Sequence, residues 1–242
     1  GLRSFIKSQP EEINRIITDH LSDICFVPSE NSKKNLLAEG INEKKIFVSG
    51  DVMIDAIRIF SDIRKDSSEI LKRINLEPKK YILATVHRFE NINNFDKLNS
   101  ILRSFGEIDL PVIFPLHPGT KKRIHNSNLD YLLNQLIVID PVGYSDLAIL
   151  QYNASIIITD SGGIQKEAYV YNVPCITLRD QTEWTELVDS GWNMLVDASN
   201  SSSIIEAYRK QKTFQLDSSH PNFYGDGFSA SKIINFLQKL KN

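Results

Sequence analysis

Residues 155–172 read SIIITDSGGIQKEAYVYN and decide the fold. An isoleucine-rich run is typical of a buried strand, and the residues after Gly163 have the composition of a helix. The two glycines let backbone N–H groups approach an oxyanion at the positive end of the helix dipole. Glu167, one turn into the helix, is then placed to accept hydrogen bonds from ribose hydroxyls. Alone, the pattern fits a diphosphate site and a plain tight turn equally well.

The alternation of strand-like and helix-like segments continues in both directions from this stretch. Eight short apolar runs are candidate strands: CFVPS, KIFVSG, YILATV, VIFPLH, LIVID, SIIITD, PCITL and MLVD. In one amphipathic segment between them the apolar residues recur every third or fourth position, at Met53, Ile54, Ile57, Phe60 and Ile63. The pattern predicts an α/β protein with a doubly wound parallel sheet, whose six strands lie between Asp51 and about Asp197.

A division is expected near Gly50. Before it we expect helices from Glu11 to about Leu21 and from about Asn31 to Ala38, with strands at Cys25 and Lys45. A two-stranded sheet is too small to form a stable domain by itself. These elements therefore predict the end of a domain whose beginning is missing, and the start GLRS, without Met, indicates a fragment.

Composition restricts the class of protein. With 242 residues, 41% of them hydrophobic, the chain can bury a substantial core, which excludes disordered and fibrous proteins. A net charge of -2 offers no basic excess for a nucleic-acid backbone. We see neither a membrane-length apolar stretch nor a signal core, so we expect a cytoplasmic protein with no membrane or nucleic-acid partner. Cys25 and Cys175 lie in strand-like runs and are expected to be buried thiols.

Polar residues follow three further strands, where ligands collect in open α/β sheets. His87 follows YILATV and has Arg88 beside it, an arrangement suited to binding phosphate or transferring a proton. His117 ends the run VIFPLH, and Arg179 follows PCITL. Both fit the same cleft, with Arg179 as a diphosphate clamp, but the residues alone favour the plainer interpretation that they satisfy buried loop carbonyls.

Taken together, five segments resemble the non-hydrolysing UDP-N-acetylglucosamine 2-epimerases: VSGDVMIDA, ILATVHRFEN, TDSGGIQKEA, RDQTEWTELVDSGWNMLV and NFYGDG. The similarity runs through the whole chain in order. It implies the GT-B fold, in which two Rossmann-like domains face each other across a cleft, with this chain supplying the second half. Residues 1–50 would end a truncated first domain, 51–224 would form the UDP-binding domain, and 225–242 would be a helix that crosses back to the first.

The resemblance also implies an activity and its residues. The family interconverts UDP-N-acetylglucosamine and UDP-N-acetylmannosamine by eliminating UDP and adding it back, without a metal ion or a redox cofactor. Its diphosphate-binding turn matches Ser161, Gly162 and Gly163, and its ribose-binding glutamate matches Glu167. Its catalytic residues match His87 and, in the segment PEEINR, Glu11. The expected partners are a UDP-sugar and, as in many family members, a second copy in a homodimer.

Two departures from the family pattern matter. Further essential carboxylates of the family lie upstream, one of them just before the segment that matches Gly1, Leu2 and Arg3, so we expect the 242-residue chain alone to be inactive. The segment LHPGT replaces a histidine-leucine-asparagine-proline loop that, with the arginine after the catalytic histidine, binds a second, activating UDP-sugar. Arg88 and His117 are the positions concerned. Thr185 also stands where the family usually has proline.

Other functions remain open at this point. An epimerase, hydrolysing or not, could act on a related UDP-sugar, and the hydrolysing type would release free UDP. A GT-B glycosyltransferase shares the diphosphate-binding helix but needs an acceptor. A UDP-binding module without catalysis is the third alternative.

Overall fold

The structure is a computed structural model that describes residues 1–7, 9–61, 68–214 and 221–240. Strands and helices alternate along the chain. The strands are β1 (Cys25–Val27), β2 (Ile46–Val48), β3 (Ile82–Thr85), β4 (Val112–Pro115), β5 (Ile137–Ile139), β6 (Ile156–Thr159), β7 (Cys175–Thr177) and β8 (Asn193–Leu195). The helices are α1 (Pro10–Leu21), α2 (Glu30–Ala38), α3 (Val52–Ser61), α4 (Ser68–Arg73), α5 (Phe89–Ile92), α6 (Phe95–Glu107), α7 (Pro118–Asn126), α8 (Tyr144–Asn153), α9 (Gly162–Val170), α10 (Thr185–Asp189), α11 (Ser201–Lys212) and α12 (Ser229–Lys239).

The smaller of two compact units is built on a two-stranded parallel sheet. The units comprise Gly1–Lys65 with Asp217–Asn242, and Asp66–Leu216. In the smaller one β1 pairs with β2, and α12 packs against α3. The ring of Phe236 on α12 lies 5.6 Å from that of Phe26 and 4.6 Å from that of Phe47, so aromatic contacts join this helix to the sheet.

The larger unit is a six-stranded parallel sheet in the order β5-β4-β3-β6-β7-β8. The chain builds outward from β3 to β5, returns to add β6 on the other side of β3, and builds outward again to β8. This is the doubly wound order, and β3 and β6 flank its switch point. Their register aligns Thr85 with Thr159, so the loops after both strands leave the sheet side by side. A ligand cleft is expected at that position.

The core of the larger unit lies between the sheet and its helices. On α6 the buried residues Leu98, Ile101, Leu102 and Phe105 repeat with the helical spacing of three and four, and Asn94 caps the helix by accepting from the N–H of Lys97. Burial of this stripe stabilises the unit, because each fully buried Leu or Ile side chain contributes about 1.5–3 kcal/mol.

The predicted strands are confirmed. Seven of the eight apolar runs contain one strand each, the eighth, MLVD, overlaps β8, which begins one residue before it, and six strands lie between Asp51 and Asp197. The predicted first two helices also form, each beginning one residue earlier than expected. Ile63, the last position of the predicted stripe in α3, lies outside the described residues. Both cysteines are free and buried, and burial raises the pKa of Cys175 to about 12.

The compact units divide after residue 65, whereas the sequence pattern placed a break near Gly50. The difference has a local cause, because α3 packs on α12 and the N–H of Asp51 donates to the carbonyl of Tyr224 at 2.8 Å. The assignment of residues 1–50, 51–224 and 225–242 to domains of the family stays a prediction.

A tight crossing of two chain segments lies beside α3. Gly50 and Gly225 both have a left-handed φ, +87° and +91°, which favours glycine. A Cβ on Gly50 would lie 2.9 Å from the carbonyl oxygen of Tyr224. Close to this crossing, the carboxylate of Asp55 on α3 accepts from the N–H groups of Ser229 at 2.9 Å and Ala230 at 2.7 Å. A side chain from α3 therefore caps the start of α12.

Replacing Asp55 by alanine is expected to destabilise the smaller unit by about 0.5–2 kcal/mol, because two N–H groups at a helix start lose their acceptor. Urea denaturation followed by circular dichroism measures the change. Asp55→Asn keeps one acceptor oxygen and should lose less. Equal stability of Asp55→Ala and the wild type would contradict the capping role.

Candidate functional site

Two threonines at the ends of β3 and β6 hold the turn before α9 through hydrogen bonds. The hydroxyls of Thr85 and Thr159 are hydrogen-bonded at 2.6 Å, and the hydroxyl of Thr159 accepts from the N–H of Ser161 at 2.9 Å. Gly162 and Gly163 open the helix and are half-buried. A Cβ on Gly162 would meet only the indole nitrogen of Trp184, at 3.8 Å, so the space in front of it is open. The first N–H groups of a nine-residue helix thus face room for an anion.

Beside this turn, Asp160 binds the loop after β3. Its carboxylate is fully buried and accepts from the N–H of His87 at 3.0 Å and the N–H of Arg88 at 2.9 Å. The side-chain amide of Asn91 donates to the same carboxylate at 3.1 Å. The imidazole Nδ1 of His87 lies 3.1 Å from the other carboxylate oxygen. The histidine and the glycine turn are therefore held together across the switch point of the sheet.

His87 and Asp160 shift each other's pKa. The hydrogen bond to Asp160 raises the pKa of His87, although partial burial and the charge of Arg88 oppose it. Burial alone would raise the pKa of Asp160, but the hydrogen bonds from His87, Arg88 and Asn91 outweigh it and lower the pKa. The arrangement favours a carboxylate beside an imidazolium.

Glu167 is oriented by residues of α8. Only 5% of Glu167 is exposed, and its carboxylate accepts from the side-chain amide of Gln151 at 2.6 Å. The hydroxyl of Tyr144 is also hydrogen-bonded to it, and burial together with this carboxylate raises the pKa of Tyr144. The side chain of Glu167 is therefore buried among polar partners, and its expected role in binding ribose stays a prediction.

A cleft of about 210 Å³ opens at the carboxyl ends of β3, β4 and β5. It is lined by Thr85, Val86, His87, Pro115, His117, Pro141, Val142, Leu147 and Ile164. Most of these side chains are apolar, so the cleft suits a flat ring more than a charged group. His117 lies at its edge, where its Nδ1 accepts from the N–H of Gly119 at 3.1 Å and caps α7.

Arg179 lies after β7, as expected, but it is paired inside the protein. Its guanidinium lies 3.1 Å from the carboxylate of Glu183, and both side chains are largely buried. Arg88 donates through Nε to the carbonyl of Asp160 at 2.8 Å. Both arginines therefore have protein partners in this structure, and their expected roles in holding phosphate stay predictions.

A buried amide that the sequence pattern does not reveal is hydrogen-bonded to the glycine turn. Gln165, fully buried on α9, donates to the carbonyl of Ser161 at 3.2 Å. Its oxygen accepts from the hydroxyl of Thr182 at 2.7 Å and the amide of Asn193 at 2.9 Å. The amide thus connects the turn to the loop after β7 and to β8. The position of Gln165 near the start of α9 can be seen in the sequence. Its hydrogen-bond partners Thr182 and Asn193 are distant in sequence, so spacing does not reveal them.

Gln165→Leu is expected to lower stability by at least about 2 kcal/mol, because three buried polar groups lose a partner and each costs about 1–3 kcal/mol when unsatisfied. Chemical denaturation measures the loss. The matched control is Gln181→Leu, the same change at an exposed position of the neighbouring loop, which should stay within about 0.5 kcal/mol of the wild type. Similar losses in the two variants would refute the role of the buried amide.

Glu11 belongs to the smaller unit, in the first turn of α1. It is exposed, whereas its neighbour Glu12 is buried and accepts from the N–H groups of Ser4 at 2.8 Å and Phe5 at 3.0 Å. Burial opposes ionisation of Glu12, but these hydrogen bonds lower its pKa. Of the two adjacent glutamates, Glu12 has a structural role and Glu11 is the one available to a ligand.

None of the helices in the described ranges is both long and apolar enough to span a membrane. In the same ranges, no three or more His, Cys, Asp or Glu residues form a group that could hold a metal ion.

Comparison with known proteins assigns the family. The family model for UDP-N-acetylglucosamine 2-epimerase matches residues 1–238. A UDP-N-acetylglucosamine 2-epimerase homolog from Methanococcus maripaludis is 46% identical over 99% of this chain and 67% of its own length. The UDP-2,3-diacetamido-2,3-dideoxy-D-glucuronate 2-epimerase of Pseudomonas aeruginosa is 42% identical over 99% and 66%. The chain thus spans about two thirds of the length of the curated relatives it matches.

A solved structure supports the same assignment. The crystal structure of the Methanocaldococcus jannaschii UDP-GlcNAc 2-epimerase in complex with UDP-GlcNAc and UDP has a TM-score of 0.89 and 41% identity, and the match covers 99% of this chain and 67% of that one. The predicted α/β fold of the Rossmann-like, GT-B type is thereby confirmed. The chain belongs to the UDP-N-acetylglucosamine 2-epimerase family.

Proposed function

We propose that this protein interconverts UDP-N-acetylglucosamine and UDP-N-acetylmannosamine by epimerisation at carbon 2 of the sugar. The observation that carries the proposal is the pairing of an open helix start at Gly162 with the imidazole of His87, both held by Asp160 at the switch point of the sheet. The family assignment restricts what this site acts on.

The nucleotide is placed by three parts of the larger unit. The two phosphates bind at the N-terminus of α9, where Ser161, Gly162 and Gly163 offer N–H groups and the helix dipole favours negative charge. Glu167 accepts hydrogen bonds from the ribose hydroxyls, and Gln151 fixes its orientation. The apolar cleft beside His87 takes the uracil ring.

The reaction needs positive charge beside the leaving diphosphate and a base beside carbon 2 of the sugar. The bond from the anomeric carbon to the diphosphate oxygen breaks, and UDP leaves with the electron pair. A carboxylate removes the proton from carbon 2, and a double bond forms between carbons 1 and 2. Protonation of carbon 2 from the opposite face and re-addition of UDP give the epimer. We assign Glu11 to the acid and base chemistry and His87 to the charge that develops on the diphosphate.

Incubation of the complete protein with UDP-N-acetylglucosamine in D₂O tests the proposal. Proton NMR should show conversion to the manno epimer and deuterium at carbon 2 of both sugars, because the proton is exchanged in the bound intermediate. Conversion without deuterium, or no conversion at all, would refute it. Accumulation of free UDP and free sugar would indicate the hydrolysing type, and dependence on an added acceptor would indicate a glycosyltransferase.

A second candidate is an epimerase of a modified UDP-sugar. The supporting observation is the relative from Pseudomonas aeruginosa, which is named for a diacetamido uronate substrate and whose 42% identity is comparable to that of the GlcNAc enzymes. Parallel assays with both nucleotide sugars decide between them through their kcat/KM values.

The roles of Arg88 and His117 in binding a second UDP-sugar, a homodimeric state and a cytoplasmic location are further proposals, which rest on the family resemblance. Activation of UDP-N-acetylmannosamine conversion by added UDP-N-acetylglucosamine tests the first, sedimentation equilibrium the second and cell fractionation the third.

A further inference from the structure

The buried carboxylate of Asp160 contacts both the backbone of the loop after β3 and the imidazole of His87. Resting on the proposed function, we propose that Asp160 is a positioning residue for His87: it holds Nδ1 of the imidazole as a donor, so that Nε2 of the cationic ring faces the leaving diphosphate. No ligand contact by Asp160 itself is required.

The geometry makes Asp160 a rigid acceptor. The side chain is fully buried, and three donors other than the imidazole fix it, namely the N–H groups of His87 and Arg88 and the amide of Asn91. Because the carboxylate is immobile, a ring that donates to it through Nδ1 has a defined plane. The N–H bonds of Nδ1 and Nε2 diverge from each other in the ring plane, so when Nδ1 faces Asp160 the N–H of Nε2 points away from it.

His87 is positioned to use that orientation. Half of its side chain is exposed, and it lines the cleft that borders the start of α9. Asp160 directly precedes Ser161, so the same residue fixes the histidine and the turn that binds phosphate. An imidazole that donates a hydrogen bond from Nε2 complements an oxyanion. A ring flipped by 180° about the Cβ–Cγ bond would lose the hydrogen bond from Nδ1 to Asp160.

The charges around the ring agree with this role. Asp160 faces the imidazole and raises its pKa, the adjacent Arg88 lowers it, and His117 lines another part of the cleft. Since the pKa of His87 is raised by its contact with Asp160, the ring keeps its charge to higher pH than an unpaired histidine and loses it as pH rises through the shifted pKa. Activity that depends on the cation should therefore decline on the alkaline side of that value.

The test compares Asp160→Asn with Asn91→Ala in the complete protein. Asn91→Ala also removes a hydrogen bond to this carboxylate but does not contact the imidazole, so it reports the structural contribution alone. Proton NMR titration follows His87, whose resonance is assigned by its loss in His87→Asn, and steady-state kinetics give kcat against pH. We expect Asp160→Asn to lower the pKa of His87 by about one unit, to lower kcat at least about tenfold and to shift its alkaline limb to lower pH. Asn91→Ala should leave the pKa of His87 and the shape of the profile unchanged.

An unchanged pKa of His87 in Asp160→Asn, or equal shifts in the two variants, would overturn the inference. If Asp160→Asn does not fold, the wild type decides, since a pKa of His87 at or below about 6.5 contradicts the pairing. A wild type without epimerisation refutes the proposed function, while the NMR titration still tests the pair independently.

Discussion

His87→Asn is expected to lower kcat by about 10²–10⁴, the range typical for loss of a group that transfers or stabilises charge in the transition state. Asparagine is polar and of similar size, so it fills the space of the imidazole but carries no cation. The backbone N–H of residue 87 still donates to Asp160, which keeps the loop in place. UDP affinity should change much less than kcat, because the proposed phosphate contacts come mainly from the N–H groups of α9. Coupled kinetics and calorimetry with UDP separate the two effects.

The matched control is His125→Asn. This histidine lies on α7, is largely exposed and pairs with Asp130 at 3.4 Å, so the same substitution there should leave kcat unchanged. Retention of at least half of the wild-type kcat in His87→Asn would exclude the proposed role. A parallel loss of UDP binding and stability would instead indicate that the substitution disrupts the loop.

The sequence predicted the sheet well because its signal is local. Five of the six strands of the larger unit contain at least two β-branched residues, and the helices between them carry a periodic apolar stripe, as the buried positions Leu98, Ile101 and Phe105 of α6 illustrate. The strand order then follows from general rules for parallel sheets. Even β5, whose Ile137 and Val138 are exposed at the edge, was recognisable from composition alone.

The candidate site was predicted only where a motif marked it. Ser161, Gly162, Glu167 and His87 stood out because they follow strands, whereas Asp160 was passed over although it adjoins the glycine turn. Its function depends on a contact with a residue 73 positions away, and spacing does not reveal such pairs.

For Arg179 the sequence indicates the position of the residue but not its partner. Its position after β7 was read correctly, but which anion it meets depends on the loop conformation, which brings Glu183 to 3.1 Å. A carboxylate four residues on was visible in the sequence, yet outside a regular helix that spacing does not imply contact. An arginine that already has a buried partner binds phosphate only in competition with it.

Gly162→Asp is expected to lower the affinity for UDP by at least about a hundredfold. Two unit charges 4 Å apart interact by about 4 kcal/mol at the effective dielectric constant of a protein surface, and each 1.4 kcal/mol is about tenfold in affinity. The fold should tolerate the change, since a Cβ at this position meets only the indole nitrogen of Trp184, at 3.8 Å, and its φ is not in the left-handed region. Aspartate in the first turn of a helix even stabilises it, by about 0.3–1 kcal/mol.

Gly162→Asp is thus expected to lower UDP affinity while keeping or raising stability, so it separates loss of an anion site from misfolding. A protein that melts at the same or a higher temperature but no longer binds UDP has lost an anion site, because misfolding would lower both quantities together. Gly162→Asn provides the neutral control, with nearly the same volume, and should retain most of the affinity that Gly162→Asp loses. Added salt should narrow the gap between the two variants, since screening weakens charge repulsion. If both variants bind UDP as tightly as the wild type, the phosphates do not lie at the start of α9, and the nucleotide must bind elsewhere on the sheet.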